Sequence, residues 1–273
     1  MSQPISKDTR LCISLAGRPS NIGTRFHNVL YEELGLDFVY KACTTSDLAA
    51  AIAGIRGLGI RGCGVSMPYK EACIPYLDVL DASAEALHSV NTIVNDGGCL
   101  RAYNTDYIAV STLLDRHGVS RDLSFVLRGS GGMAKAVAGA LHDAGFRSGI
   151  ILARNEVTGR QLAEIYGYEW RAQLGEIRPG LLINVTPIGM AGGPDAETLA
   201  FDPEIIDGAE TVFDVVALPP ETPLIRSARE RAKQVITGAE VIALQAAEQF
   251  ALYTGVRPTE DQIRRASEYA RGP

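Results

Sequence analysis

The chain has 273 residues, 46% of them hydrophobic and 21% charged, which excludes a disordered polymer and allows two domains with separate cores. Its 26 basic and 32 acidic residues give a formal charge of −6 with no cluster of Lys and Arg, which argues against a nucleic-acid partner. The start is polar and no apolar run approaches the roughly 18 residues that cross a bilayer, so a cytoplasmic protein without membrane attachment is expected.

In chain order, short Val/Ile/Leu-rich runs alternate with segments of helical period, the pattern of parallel sheets with crossover helices. Strands are predicted over 11–15, 38–42 and 62–65, with helices over 24–34 and 46–57 between them. Segments 90–95 and 99–103 read as a β-hairpin, because Asp96-Gly97-Gly98 supplies the positive-φ positions of a tight turn. A second unit is predicted from Asp106: a helix to 117, a strand over 124–127, a glycine turn and a helix over 131–144. A strand over 149–153, a helix over 157–166 and strands over 181–185 and 211–216 complete it. That succession is a doubly wound dinucleotide-binding domain. After Gly238 the chain is helical over 239–253 and 259–270, with Gly255 and Pro258 at the break. The five cysteines, Cys12, Cys43, Cys63, Cys73 and Cys99, form no C-x-x-C pair and have no adjacent His at ligand spacing, so buried reduced thiols are expected rather than a zinc site or disulfides.

Gly129-Ser130-Gly131-Gly132-Met133-Ala134 follows a strand and opens a helix, matching G-x-G-x-x-G/A in the context that gives the pattern meaning. The first Gly permits the turn, the second lets main chain approach a pyrophosphate, and the small sixth residue lets helix and sheet pack closely. The next strand ends in Ala153-Arg154-Asn155, with no carboxylate before Glu156. An arginine there suits the 2′-phosphate of NADP, whereas NAD calls for an acidic residue. The competing reading of Arg154 is a solvated surface arginine.

In the first domain Ser66-Met67-Pro68-Tyr69-Lys70 lies at the C-terminal end of a predicted strand, the edge at which open α/β sheets take ligands. Val90-Asn91-Thr92 and Asn104-Thr105-Asp106 flank the hairpin, and each alone would be ordinary turn chemistry. Together with Gly17-Arg18-Pro19, the glycine turn, Asn184-Val185-Thr186-Pro187-Ile188-Gly189-Met190, Phe213-Asp214-Val215-Val216, Gly238 and Gln245, they resemble the shikimate dehydrogenase family over nearly the whole chain.

The resemblance implies an α/β substrate domain, residues 1–105 with the returning helices 239–273, joined to an NADP-binding Rossmann domain, residues 106–238. It implies Lys70 and Asp106 as the catalytic pair, and Ser66, Asn91 and Gln245 as contacts to substrate hydroxyls. It also assigns Thr186, Val216 and Gly238 to the cofactor beside the glycine turn and Arg154. Such a lysine protonates the developing alkoxide in ketone reduction and accepts the proton in alcohol oxidation. An isolated Lys/Asp pair would otherwise read as a salt bridge.

Four places depart from the family pattern, which resembles the shikimate dehydrogenase-like branch. The Ser-x-Ser pair that holds the substrate carboxylate is missing from a stretch two residues shorter, leaving Ser20, Asn21 and Thr24 as the available donors. Gly64 replaces an Asn, and Ala217-Leu218-Pro219 replaces Tyr-Asn-Pro, which removes a phenol. Thr158 stands where a second phosphate-binding Arg is usual, with Arg160 the nearest basic substitute.

The expected activity is NADP-dependent oxidation and reduction of shikimate or a near relative by a monomer or homodimer whose partner is that small molecule. A quinate/shikimate dehydrogenase with relaxed cofactor use and a weakly active nucleotide-binding regulatory paralogue are the alternatives. The absence of an acidic residue at the Arg154 strand end argues against the first, and the retained Lys70 and Asp106 against the second.

Overall fold

A computed structural model describes residues 5–85 and 87–272 and divides the chain into two compact units, 1–105 with 243–273, and 106–242. The first unit begins with β1 (Arg10–Leu15), α1 (Asn21–Glu33), β2 (Phe38–Cys43), α2 (Leu48–Gly57) and β3 (Gly62–Val65). Then come α3 (Tyr69–Ala72), a 3-10 turn (Ile74–Tyr76), β4 (Val79–Leu80), α4 (Ala82–Glu85), β5 (Thr92–Asp96) and β6 (Cys99–Tyr103). Its six strands lie in the order β2-β1-β3-β5-β6-β4, with β5 antiparallel to both neighbours. The β5–β6 hairpin turns on Gly97 and Gly98, at φ of 62° and 96°, as the Asp-Gly-Gly signal requires.

The second unit opens with α5 (Thr105–Arg116) and continues through β7 (Phe125–Arg128), α6 (Gly132–Ala144), β8 (Gly149–Leu152), α7 (Glu156–Tyr166), β9 (Glu169–Arg171) and β10 (Leu181–Asn184). It ends with α8 (Pro203–Gly208), β11 (Thr211–Asp214), α9 (Pro223–Glu230), β12 (Gln234–Thr237) and the start of α10 (Gly238–Thr254). Every strand pair in this sheet is parallel, and the order β12-β11-β10-β7-β8-β9 reverses direction at β7, the Rossmann arrangement. Its central strands β7, β10 and β11 are buried on both faces, which is why they read as continuous apolar runs.

The rest of α10 and α11 (Glu260–Arg271) return to the first unit. There Ala246, Ala247, Phe250, Tyr253, Ala266 and Ala270 share a core with Cys12, Phe26, Leu30, Tyr31, Tyr40 and Val94. A second core on the other face of that sheet gathers Ile13, Leu15, Ile52, Ile55, Ile93 and Leu100.

Several boundaries differ from the sequence reading. Helix α1 starts at Asn21 rather than 24, so Asn21 as well as Thr24 lies in its first turn, and Ser20 occupies the N-cap without a capping bond from its side chain. Helix α10 starts at Gly238, and the chain passes back to the first unit at 242/243 rather than at 238/239. All five cysteines are free thiols, but Cys99 is exposed and Cys43 half-buried. Cys99 alternates outward on the hairpin, so the expectation of uniformly buried thiols fails there.

Candidate active site

In the first unit, the segment after β3 is tied down by main chain. Ser66 N–H donates to Leu15 O at 2.9 Å, Gly17 N–H to Met67 O at 2.9 Å, and Val90 N–H to Lys70 O at 2.8 Å. Ser66 is exposed and Lys70 half-buried. Val65 N–H donates to Asn91 O at 2.7 Å, so Lys70 and Asn91 are fixed to one another through adjacent backbone bonds.

Asn91 is 2% exposed. Its Oδ1 accepts from Thr105 N–H at 2.8 Å, Thr105 Oγ1 at 3.1 Å and Thr92 Oγ1 at 2.9 Å, while its main-chain oxygen also accepts from Gln249 Nε2 at 3.1 Å. The Nδ2 group, by contrast, is buried with no hydrogen-bond partner among the described residues. A buried donor left over in this way costs about 1–3 kcal/mol unless something accepts from it. Thr105 Oγ1 also lies 3.4 Å from Gln245 Oε1, so the Gln245 position on α10 belongs to the same cluster. Asp106, 7% exposed, follows in the first turn of α5. Of the three donors proposed to replace the Ser-x-Ser pair, Ser20 and Asn21 are exposed, and only Thr24 has a buried hydroxyl, again without a partner among the described residues.

In the second unit the glycine turn has the form the motif demands. Gly129 sits at φ of 129°, and a β-carbon there would lie 2.7 Å from Val185 Cγ2, so both backbone and space require glycine. At Gly131 and Gly132 a β-carbon would meet nothing within 4 Å, and Gly131 caps α6 with no side-chain bond to its N–H groups. Open main chain at the start of a 13-residue helix is a fitting cradle for a pyrophosphate. Ala134 is fully buried against the sheet, while Ser130 and Met133 are half-buried.

Arg154 is exposed just beyond β8, next to Asn155, whose side chain caps α7 by accepting from Thr158 N–H at 3.1 Å. Thr158 Oγ1 lies 2.7 Å from Ser130 Oγ, joining the glycine turn to α7 where the family pattern has a second arginine. Arg160 does not substitute for it: its Nε donates to Glu156 at 2.8 Å and its guanidinium lies 4.3 Å from the Trp170 ring centre.

Sequence reasoning missed Arg128, the residue before the first glycine. Its guanidinium donates to Ala200 O and packs over Phe201, and burial, together with the charge of Arg154, pushes its pKa down. A charged residue ending an otherwise apolar strand was the available signal. Missed too was the network beneath Thr186. Thr186 N–H and Oγ1 donate to Asn184 Oδ1 at 3.1 and 2.6 Å, and Asn184 Nδ2 donates to Asp214 Oδ1 at 3.0 Å. Asp214 accepts as well from Val216 N–H at 3.1 Å and Thr222 Oγ1 at 2.7 Å. Burial raises its pKa to about 6 against those three hydrogen bonds. Val216 is 2% exposed, and a β-carbon at Gly238 would lie 2.3 Å from Val215 O, so glycine there answers to neighbouring backbone.

Residues 21–93 match the model of the shikimate dehydrogenase substrate binding domain. The chain is 35% identical to the shikimate dehydrogenase (NADP(+)) of Moorella thermoacetica over 89% of its own length and 88% of that protein's. The chain belongs to the shikimate dehydrogenase family. It is thus a member of an oxidoreductase family, and its likeness to the shikimate dehydrogenase-like protein of Haemophilus influenzae is greater, 55% identity over 98% of both chains. The shikimate dehydrogenase of Thermus thermophilus, solved in complex with NADP(H) and shikimate, superposes with a TM-score of 0.84 at 28% identity, covering 96% of this chain and 99% of that one. Within this family no helix among the described residues of the present chain is long and apolar enough to cross a membrane.

Proposed function

We propose that the chain is an NADP-dependent dehydrogenase that interconverts shikimate and 3-dehydroshikimate or a close ring hydroxy acid. The observation that carries this reading is the unsatisfied, buried Nδ2 of Asn91, held by main-chain bonds beside Lys70. An amide donor with no acceptor among the described residues, on a segment bonded through main chain to that of Lys70, suits a substrate oxygen.

NADP, when bound, supplies the hydride acceptor or donor. Gly129 to Ala134 would hold its pyrophosphate through the N–H groups that open α6, and Arg154 its 2′-phosphate. Oxidation of a ring secondary alcohol releases a proton, and Lys70 is the group assigned to take it and to return it in the reverse direction. Asp106 orients Lys70. Asn91, Ser66 and Gln245 orient the ring through its hydroxyls, while the Asn91 hydrogen bonds to Thr105 and Thr92 fix the amide so that Nδ2 keeps its direction.

The test is NADPH formation with shikimate, quinate and related ring hydroxy acids, with NAD in parallel, in the wild type and in Lys70→Ala. Turnover of at least one acid with NADP is expected. The substitution should lower kcat by roughly two to four orders of magnitude, the usual contribution of a positioned proton-transfer group. A raised KM with kcat intact would remove Lys70 from the chemistry and leave it a binding residue.

A further inference from the structure

The first unit carries a polar side chain that neither the motifs nor the family pattern singles out. Tyr40, on β2, is 3% exposed. Asn28 fixes its backbone by accepting from Tyr40 N–H at 2.8 Å and donating to Tyr40 O at 2.9 Å. The ring stacks on His27, with centroids 4.3 Å apart and planes 10° from parallel. Burial keeps His27 neutral, lowering its pKa to about 3, so the stack is uncharged near neutral pH.

The phenol crosses β1, where the half-buried Ser14 lies beside it, and its oxygen ends between two glycines. A β-carbon at Gly64, two residues before Ser66, would sit 2.9 Å from that oxygen, and one at Gly23, in the first turn of α1, 3.7 Å from it. A side chain at Gly64 would have to displace the phenol, whereas one at Gly23 would only come into ordinary contact with it. Nearby, Gln249 spends its Nε2 on Asn91 O and Thr92 Oγ1. In the same turn of α1 as Gly23, the Thr24 hydroxyl is buried without a partner among the described residues, and Ser20 gives the helix no capping bond.

We propose that the Tyr40 hydroxyl, reaching across β1 into the space left by Gly64 beside the first turn of α1, is the donor this chain offers to the carboxylate of its substrate. The inference rests on the proposed function and deepens it. Burial holds the Tyr40 pKa far above its ordinary value, so the phenol stays a neutral donor. The uncapped start of α1 favours an anion in the same place, and Thr24 Oγ1 is its second side-chain donor. A chain that has lost a pair of serines from its α1 approach thus recovers one hydroxyl from the neighbouring strand.

The test is a cycle of Tyr40→Phe, Gly64→Ala and the double variant, assayed with shikimate and with its methyl ester at saturating NADP. Tyr40→Phe keeps the ring stack and removes one hydrogen bond to a charged acceptor. It should raise the shikimate KM roughly tenfold, leave kcat within about twofold, and change the ester KM by less than about twofold. Gly64→Ala displaces the same oxygen, so it should raise the shikimate KM comparably, and the double variant should be no worse than either single one. An unchanged shikimate KM in Tyr40→Phe, or equal losses for acid and ester, would overturn the assignment. So would a Gly64→Ala defect that Tyr40→Phe repairs, since that is packing alone. A wild type inactive on every ring hydroxy acid, by contrast, would overturn the proposed function and this inference with it, so the two failures are told apart.

Discussion

The glycine turn of the second unit and the Asn91 end of the first differ in what keeps them available to a ligand. At Gly131 and Gly132 main chain is left bare because side chains are missing, and nothing lies within 4 Å of where a β-carbon would go. At Asn91 side chains are present in excess, and the amide is left over after every other polar atom of the residue has been used. The first kind of site tolerates change around it as long as the glycines remain. The second depends on residues far apart in sequence, since Thr105 and Gln249 must both arrive before Nδ2 is isolated.

The sharpest way to break that comparison is to fill the glycines. Gly131→Val should fold, because open space surrounds it, and should weaken NADP binding by roughly a hundredfold or more, measured by titration of NADPH fluorescence. Gly129→Ala should instead lose thermal stability, since φ of 129° and the 2.7 Å approach to Val185 both oppose a side chain. If the two variants behaved alike, the turn would be structural throughout. A smaller effect is expected at Arg154→Ala, which should raise the NADP KM by roughly ten- to a hundredfold and leave that for NAD nearly unchanged, as only NADP presents a 2′-phosphate to the guanidinium. Equal changes for both cofactors would remove Arg154 from that role.

The weakest and most diagnostic perturbation is acid, because the two units carry buried groups of opposite sign. His27 has its pKa lowered from 6.5 to about 3, so the unfolded chain binds a proton that the folded unit refuses, and stability is lost as pH falls from 6.5 towards 3. Asp214 has its pKa raised from 3.8 to about 6, so its contribution is present below 3.8 and is lost as pH rises through 6. Going from pH 7 to pH 5 should therefore weaken the first unit by about 2 kcal/mol and strengthen the second by about 1 kcal/mol. Amide hydrogen exchange, corrected for intrinsic rates, reads the two units separately, and His27→Gln should flatten the response of the first alone. Parallel loss of protection in both units would contradict the assignment of these two groups.

The same contrast governs what could be read from residues alone. The strands β7, β8, β10 and β11 of the Rossmann sheet and the glycine turn were legible because fixed local spacing carries them. Short elements escaped: β4 has two residues, β9 is the edge segment Glu169–Arg171, and β12 (Gln234–Thr237) has only Val235 and Ile236 as an apolar signal. Helix α9 was within reach, since Thr222 caps it by accepting from Ile225 N–H and Pro223 follows at the first helical position. In the site, Lys70 and Asn91 could be named from motifs, but Tyr40 could not. Its relevance comes from the absence of a side chain at Gly64, 24 residues away in sequence, and from a reach across an intervening strand.

The interleaving of the two units also orders events during synthesis. Unit 106–242 is a single unbroken stretch, whereas the first unit needs residues from 243 onward. Translation releases the chain N-terminal end first, so the second unit can close while the ribosome still holds the last helices. Until then the surface of Phe26, Leu30, Tyr31 and Tyr40 that Phe250, Tyr253 and Ala266 later cover stays bare, and Asn91 lacks Gln249. A polypeptide halted near residue 242 would therefore be a finished nucleotide fold carrying an unfinished, apolar-faced companion, a natural client for a chaperone.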